Sequence, residues 1–259
     1  MASFLLPRIF IAILLLFIYA PILVMTLLAF NESVFYALPF KFTLLWFDKL
    51  SSNSILLSAG KNSLVIAGAT TIASTALGTM TAIAFARSRF RGKSILRILL
   101  YIPITVPWLI LATAMLVFFF WIGIGRGLHA ILLAHIALSL PYVIVIVGAR
   151  LESFGPELEE AAATLGASPW QVFWRVSLPM LAPGLLAAAL FSFGISFDQF
   201  VTSYFLSPPG TTTLPVEIYT SIRKGFTPEV NAISAIIIFV SMGLLVLVAR
   251  FYNFGSRMR

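Results

Sequence analysis

The sequence predicts an all-α polytopic membrane protein with six transmembrane helices and both termini on the cytoplasmic side. Its composition is the first reason. Of the 259 residues, 60% are hydrophobic and only 10% are charged, with a mean hydropathy of +1.04. Soluble globular chains carry roughly 25% charged residues, so the missing charge reflects an apolar solvent around most of this chain. The second reason is length. Charge-poor stretches long enough to cross ~30 Å of hydrocarbon lie near residues 9–30, 62–86, 98–120, 128–149, 180–205 and 231–249. The third is charge asymmetry. With the amino terminus inside, eleven of the 17 basic residues are cytoplasmic: Arg8, Arg87, Arg89, Arg91, Lys93, Arg97, Arg150, Arg175, Arg250, Arg257 and Arg259. Lys41, Lys49, Lys61, Arg126, Arg223 and Lys224 fall outside, which satisfies the positive-inside rule. The net charge of +8 is then a topology signal, and it argues neither for nucleic acid nor for an anionic substrate.

The first span is read as retained, because its apolar run exceeds the roughly 7–15 residues of a cleavable signal core. Pro21 is positioned to kink it. Residues 31–60 follow outside, where Trp46, Phe47 and Lys49 suit a short helix lying in the interface. Asn31-Glu32-Ser33 is a formal glycosylation sequon, expected here to be chance. The second span carries Thr70, Ser74, Gly78, Ala82 and Ala86 at intervals of four, a small-residue stripe for close helix approach within this chain or against another. The basic stretch RSRFRGKSILR, residues 87–97, ends its first half like a P-loop, but the glycine required five residues before Gly92 is Arg87. This chain therefore does not bind ATP by that motif.

Pro103 and Pro107 in the third span and Pro141 in the fourth mark helices that bend or line a cavity. His135, also in the fourth, has two readings: hydrogen-bonded packing, the commoner one for a lone histidine in a bundle, and a place on a pathway. In the fifth span the costly residue is Asp198, since a carboxylate at the bilayer centre costs about 2.5–3.5 kcal/mol on insertion scales. It either attracts a cationic substrate, with Phe197, Phe200 and Tyr204 contributing cation–π contact, or hydrogen-bonds another helix.

Between the fourth and fifth spans, residues 160–179 read EAAATLGASPWQVFWRVSLP. They predict a helix-turn-helix knob where a simple loop would suffice. Pro156 opens the first helix, and Glu157, Glu159 and Glu160 complement its dipole. Gly166 stops it in a left-handed cap. Ser168, Pro169 and Gln171 form a fresh capping box, and Leu178-Pro179 is expected to close the segment. With no cysteine, disulfides, thiolate metal sites and cysteine nucleophiles are excluded.

Glu160-Ala161-Ala162, then Gly166, then Val176 after nine intervening residues, resembles the EAA loop of importer-type ABC permeases, with valine where the family usually has isoleucine. RSRFRGK at 87–93, HIALSLPYV at 135–143 and TTTLPVEIYTSIRKGFTPEVNA at 211–232 resemble, more narrowly, the second membrane subunit of spermidine/putrescine importers. The resemblance implies a type I importer permease fold in a bacterial inner membrane. It divides the chain into a first helix with an external segment (1–60), a permease core (61–253) containing the coupling loop (152–179), and a cytoplasmic tail (254–259). It further implies that Glu160, Ala161, Ala162 and Gly166 contact an ATPase, and that polyamines are the cargo. Asp198, Phe197, Phe200, Tyr204, His135 and Trp46 are the candidate pathway residues. Implied partners are a second related permease, two ATPase subunits and a periplasmic binding protein. ATP and magnesium belong to the ATPase, and this chain binds no cofactor or metal and is no enzyme. Two alternatives stand beside this: a permease for another small solute such as a phosphonate, iron, an opine or an amino-acid derivative, and an ion-coupled secondary transporter. The latter lacks the several intramembrane polar groups that a coupling-ion site needs.

Overall fold

A computed structural model describes residues 2–33, 38–225 and 227–257. Among these the secondary structure is helical apart from one isolated bridge, Asn31 to Phe42. In chain order the helices are α1 (Ala2–Leu28), α2 (Leu45–Ser52), α3 (Ser54–Arg87), α4 (Lys93–Thr105), α5 (Trp108–Trp121), α6 (Leu128–Glu152), α7 (Glu157–Thr164), α8 (Pro169–Val172), a π-helical turn (Phe173–Ser177), α9 (Leu178–Asp198), α10 (Val201–Leu206), α11 (Leu214–Lys224) and α12 (Glu229–Arg257). Among the described residues four stretches are long and apolar enough to cross a membrane: Pro7–Leu28, Ser54–Arg87, Leu128–Glu152 and Pro169–Asp198. A fifth is the pair α4 and α5 taken together. The apolar part of α12 within the described side chains, Glu229–Gly243, is shorter.

Two expected spans are interrupted. The one placed at 98–120 bends by 113° between α4 and α5. Pro107 has no N–H and holds Val106 extended (φ −86°, ψ 132°), so the helix cannot run through. The one placed at 180–205 stops at Asp198, where Gln199 is extended (φ −70°, ψ 98°), and resumes as the short α10. Conversely, the expected stop at Leu178-Pro179 is absent. Pro179 sits in the first turn of α9, and the chain enters that turn from the π turn with no loop between. A proline ring crowds the carbonyl four residues back, here that of Arg175, and the wider π turn at Phe173–Ser177 gives it room.

The chain divides into two compact units, Ser58–Glu217 and the pair of segments Met1–Leu57 and Ile218–Arg259. In the first unit α6 is the most enclosed helix, and α3 and α9 pack on it through Ala82, Phe85, Val143, Ile144, Val147 and Leu181. Within this unit the small-residue stripe of α3 packs at Ser74, Gly78 and Ala82. A Cβ at Gly78 would lie 2.5 Å from Val143 Cγ1, and the Ser74 and Ser192 hydroxyls are 2.6 Å apart between α3 and α9. A second cluster, Ile66, Phe119, Ala130, Ile131, Ala134 and Leu206, joins α3, α5, α6 and α10.

In the other unit α12 packs against both α1 and α2. Trp46 of α2 is buried, and its indole N–H donates to the Asn31 carbonyl at 2.7 Å. The Asn31 side chain is also buried and accepts from the Lys41 N–H at 3.2 Å, so the sequon is not displayed for modification. From Ile9 to Leu27, α1 exposes almost every large apolar side chain, as a lipid-facing helix does. Of the expected tail, residues 258 and 259 lie outside the described residues.

Candidate functional site

The knob at 157–177 is built by its caps. Glu157, Glu159 and Glu160 occupy the first turn of α7, where the exposed N–H groups favour negative charge. At the other end Gly166 is left-handed (φ +88°), with its N–H bonded to the Ala163 carbonyl (2.9 Å) and the Ala167 N–H to the Ala162 carbonyl (3.1 Å). These paired bonds satisfy the last carbonyls of the helix and turn the chain sharply. Ser168 then caps α8. Its N–H donates to Gln171 Oε1 (2.9 Å), and its hydroxyl oxygen accepts from the Gln171 N–H (3.4 Å).

Of the motif residues, Glu160, Ala161 and Gly166 are exposed and Ala162 is half-buried. Around them Leu165 is 90% exposed and Trp170 69%, with Leu158 and Trp174 about half exposed. Trp170 and Trp174 pack edge to face at 5.4 Å. Ala162, Leu165, Gly166, Gln171 and Val176 line a shallow pocket of about 320 Å³. Exposed tryptophans beside a groove on a polar knob are the composition of a docking surface.

The acid that organises the knob internally is Glu159, one residue before the motif. Arg87 Nε donates to Glu159 Oε2 at 2.8 Å, Arg87 Nη2 donates to the Gly155 carbonyl at 3.0 Å, and the Ser177 hydroxyl donates to Glu159 Oε1 at 2.7 Å. A second arginine, Arg150, donates to the Met180 carbonyl at 2.9 Å and ties the end of α6 to the start of α9. It passes over Gly184, where an added Cβ would lie 2.8 Å from its Cβ and Cγ. Sequence reasoning missed both ties. The acidic first turn was visible, but nothing in the local pattern distinguishes the inward acid from the outward one.

Asp198 ends α9 at the break before α10, and its side chain is exposed. Phe193 and Phe197 stack before it (5.8 Å), and Phe200 and Tyr204 pair after it (5.5 Å). The structure thus places Phe197, Asp198, Phe200 and Tyr204 around one break, where the sequence reading had a continuous span. Directly after Asp198, Gln199 is 1% exposed, and neither atom of its amide has a hydrogen-bond partner among the described residues. Non-helical backbone at membrane depth, with polar groups left over, is tolerated where it lines a cavity or is buried in protein.

His135 spans that break. One ring nitrogen bonds Ser196 Oγ at 2.9 Å on α9, and the other bonds Ser203 Oγ at 3.1 Å on α10. It is 1% exposed, so it works as a staple between the two helices. Both nitrogens are committed to these serines and neither to Ser139, so the pair His135 and Ser139 does not form a base and nucleophile. Trp46 belongs to the other unit, enclosed against Asn31. Among the described residues no group of three His, Cys, Asp or Glu is placed to hold a metal ion.

Residues 74–259 match the family described as binding-protein-dependent transport system inner membrane component. The chain is 36% identical over 248 residues to the spermidine/putrescine transport system permease protein PotC of Haemophilus influenzae, covering 95% of this chain and 96% of that one. It is 35% identical over 229 residues to the putrescine transport system permease protein PotI of Escherichia coli, covering 86% and 82%. In fold it resembles a chain of a bacterial ABC transporter involved in import of the acidic polysaccharide alginate, with a TM-score of 0.79 at 16% identity and 96% of each chain covered.

Proposed function

The chain belongs to the family of binding-protein-dependent transport system inner membrane components, as the permease subunit of an ABC importer, and we propose that its cargo is a polyamine, putrescine or spermidine. The observation that carries the cargo is the likeness to permeases named for these two amines over nearly the whole chain. An exposed carboxylate between two aromatic pairs is also chemistry suited to an alkyl diammonium, which takes a counter-charge at the head and ring faces along the chain. In this reading Phe197, Asp198, Phe200 and Tyr204 line the path, and His135 holds the break in shape.

The topology proposed is six spans with both termini cytoplasmic, the bent pair counting as one and α12 as the last. That places the knob in the cytoplasm, where Glu160, Ala161, Ala162 and Gly166, with the exposed tryptophans, dock on an ATPase subunit. ATP and magnesium are bound there and not by this chain. A second permease, two ATPase copies and a periplasmic binding protein complete the assembly.

The test is uptake by the reconstituted assembly in proteoliposomes. ATP-dependent accumulation of labelled putrescine or spermidine, supplied on its binding protein, is the expected result. Stimulation of ATP hydrolysis by a different solute, with none by either amine, would replace the cargo assignment. Uptake that persists with ATP depleted and an ion gradient held would replace the ABC mechanism. Within this assay Asp198→Asn lowers putrescine uptake by about tenfold, roughly the 1–2 kcal/mol of a desolvated cation contact, without lowering the yield of assembled complex.

A further inference from the structure

We propose that Arg87 and Glu159 form a latch that makes α3 the rod carrying the knob's movement to the 211–214 loop at the far end of the same unit. The inference rests on the reading that the knob docks on an ATPase. Arg87 is the last residue of α3, and its guanidinium grips the knob at two points, the Glu159 carboxylate and the Gly155 carbonyl. The arginine side chain is 25% exposed and the glutamate 18%, so the pair is partly shielded from water and salt. The second oxygen of the same carboxylate holds Ser177, the last residue of the π turn. Glu159 is therefore a node joining α7, the end of α3 and the entry to α9.

Two helices leave this node toward the far end, and they differ in stiffness. The covalent route is α9, which starts from a π turn, contains Pro179 and Pro183, and stops at Asp198. A π turn and two prolines each interrupt the regular hydrogen-bond ladder, so α9 yields where it leaves the knob. The non-covalent route is α3, 34 residues without a proline. From Arg87 back to Asn62 it spans about 37 Å at 1.5 Å per residue.

At its far end α3 is fastened again. Asn62 Nδ2 donates to the Thr212 carbonyl at 3.0 Å, and the Ser63 hydroxyl oxygen accepts from the Leu214 N–H at 2.8 Å. Ser74 meets Ser192 midway. A proline-free helix bonded to the knob at one end and to the loop at the other moves both together, provided the latch holds. Arg87 and Glu159 are positioning residues in this scheme, touching neither nucleotide nor cargo.

The experiment uses the full assembled transporter with a fluorescent probe on Thr211→Cys, the chain having no other cysteine. Trapping the ATPase with ATP and vanadate is expected to change the probe signal in the otherwise unaltered complex. Arg87→Glu and Glu159→Arg each reduce that change by about fivefold or more, the span of an ordinary coupling free energy, and the double exchange restores most of it.

No probe response in the unaltered complex would overturn the proposal, as would a full response in the single variants or no recovery in the exchanged pair. If a reversed charge prevents assembly, Glu159→Gln decides: a normal response overturns the latch, and a lost one upholds it. Glu160→Lys separates this from the docking reading. If that variant transports normally, docking at the motif fails; if it is inactive while the latch variants respond normally, the latch alone falls.

Discussion

His135 illustrates how much a single enclosed polar side chain determines in an apolar bundle. Both ring nitrogens bond serines, one on each side of the break after Asp198, in surroundings where water does not compete. Replacing it by alanine removes both bonds, leaves Ser196 and Ser203 unsatisfied and opens a void at a fully buried position. The expected loss is about 2–4 kcal/mol of stability, from unpaired polar groups and the cavity together. A thermal melt of the purified complex in detergent measures it, and an unchanged midpoint for His135→Ala would show that the staple is dispensable. Asp198, two residues beyond the Ser196 that His135 holds, is the opposite case. Its carboxylate is exposed, so its substitution is read in uptake and hardly at all in the melt. Both residues were legible as unusual in the sequence, because charge and imidazole are rare in spans. Which was packing and which faced outward was not, since that depends on the extended Gln199 redirecting the chain between α9 and α10.

The helices show the same division between local and distant causes. The knob was legible almost to the residue, because capping boxes and left-handed glycines are set within four or five positions. Gly166 and Ser168 do what their neighbours dictate. The failed stop at Pro179 was a local rule met by a local remedy, the π turn, which no pattern of residue types announces. The Arg87–Glu159 pair, 72 residues apart, was beyond any local rule. The stripe on α3 falls between these cases: its spacing announced a close approach, and only the packed structure identifies α6 as the partner at Gly78 and α9 as the partner at Ser74. That contact carries a prediction. Gly78 admits no side chain against Val143, so Gly78→Leu must push α3 from α6 and is expected to cost about 1–3 kcal/mol or more, the usual range for overpacking. Gly68→Leu on the same helix, where a Cβ meets nothing within 4 Å, is the control and leaves the melting midpoint close to unchanged. Equal losses for the two would mean that leucine disturbs α3 by some route other than the α6 contact.

For the chain as a membrane protein the deciding question is which side each end of its helices faces, because energy input and cargo entry must be on opposite sides. In the proposed topology the 157–177 knob is inside and the 207–213 segment outside, and the fold puts these at opposite ends of α9 and α10 in one unit. The absence of cysteine makes the arrangement directly testable. In intact cells, Leu165→Cys, at a position 90% exposed on the knob, is expected to resist a membrane-impermeant maleimide until the inner membrane is opened. Pro209→Cys, exposed in the outer segment, is expected to react once the reagent has passed the outer membrane alone. The electrostatic reason is quantitative: each basic residue favours the cytoplasmic leaflet by about 1 kcal/mol near an anionic surface, and the proposed topology puts five more on the knob side than on the other. Reversed labelling would mean that the knob faces away from any cytoplasmic ATPase, and both the docking surface and the latch would lose their motor. Labelling of both positions from the same side would instead require an odd number of crossings to be missing between them, which only a re-entrant α9 and α10 would supply. The bend of 113° between α4 and α5 shows that this chain turns sharply within a span's length, so the two labels discriminate between a crossing and a re-entrant path for α9 and α10.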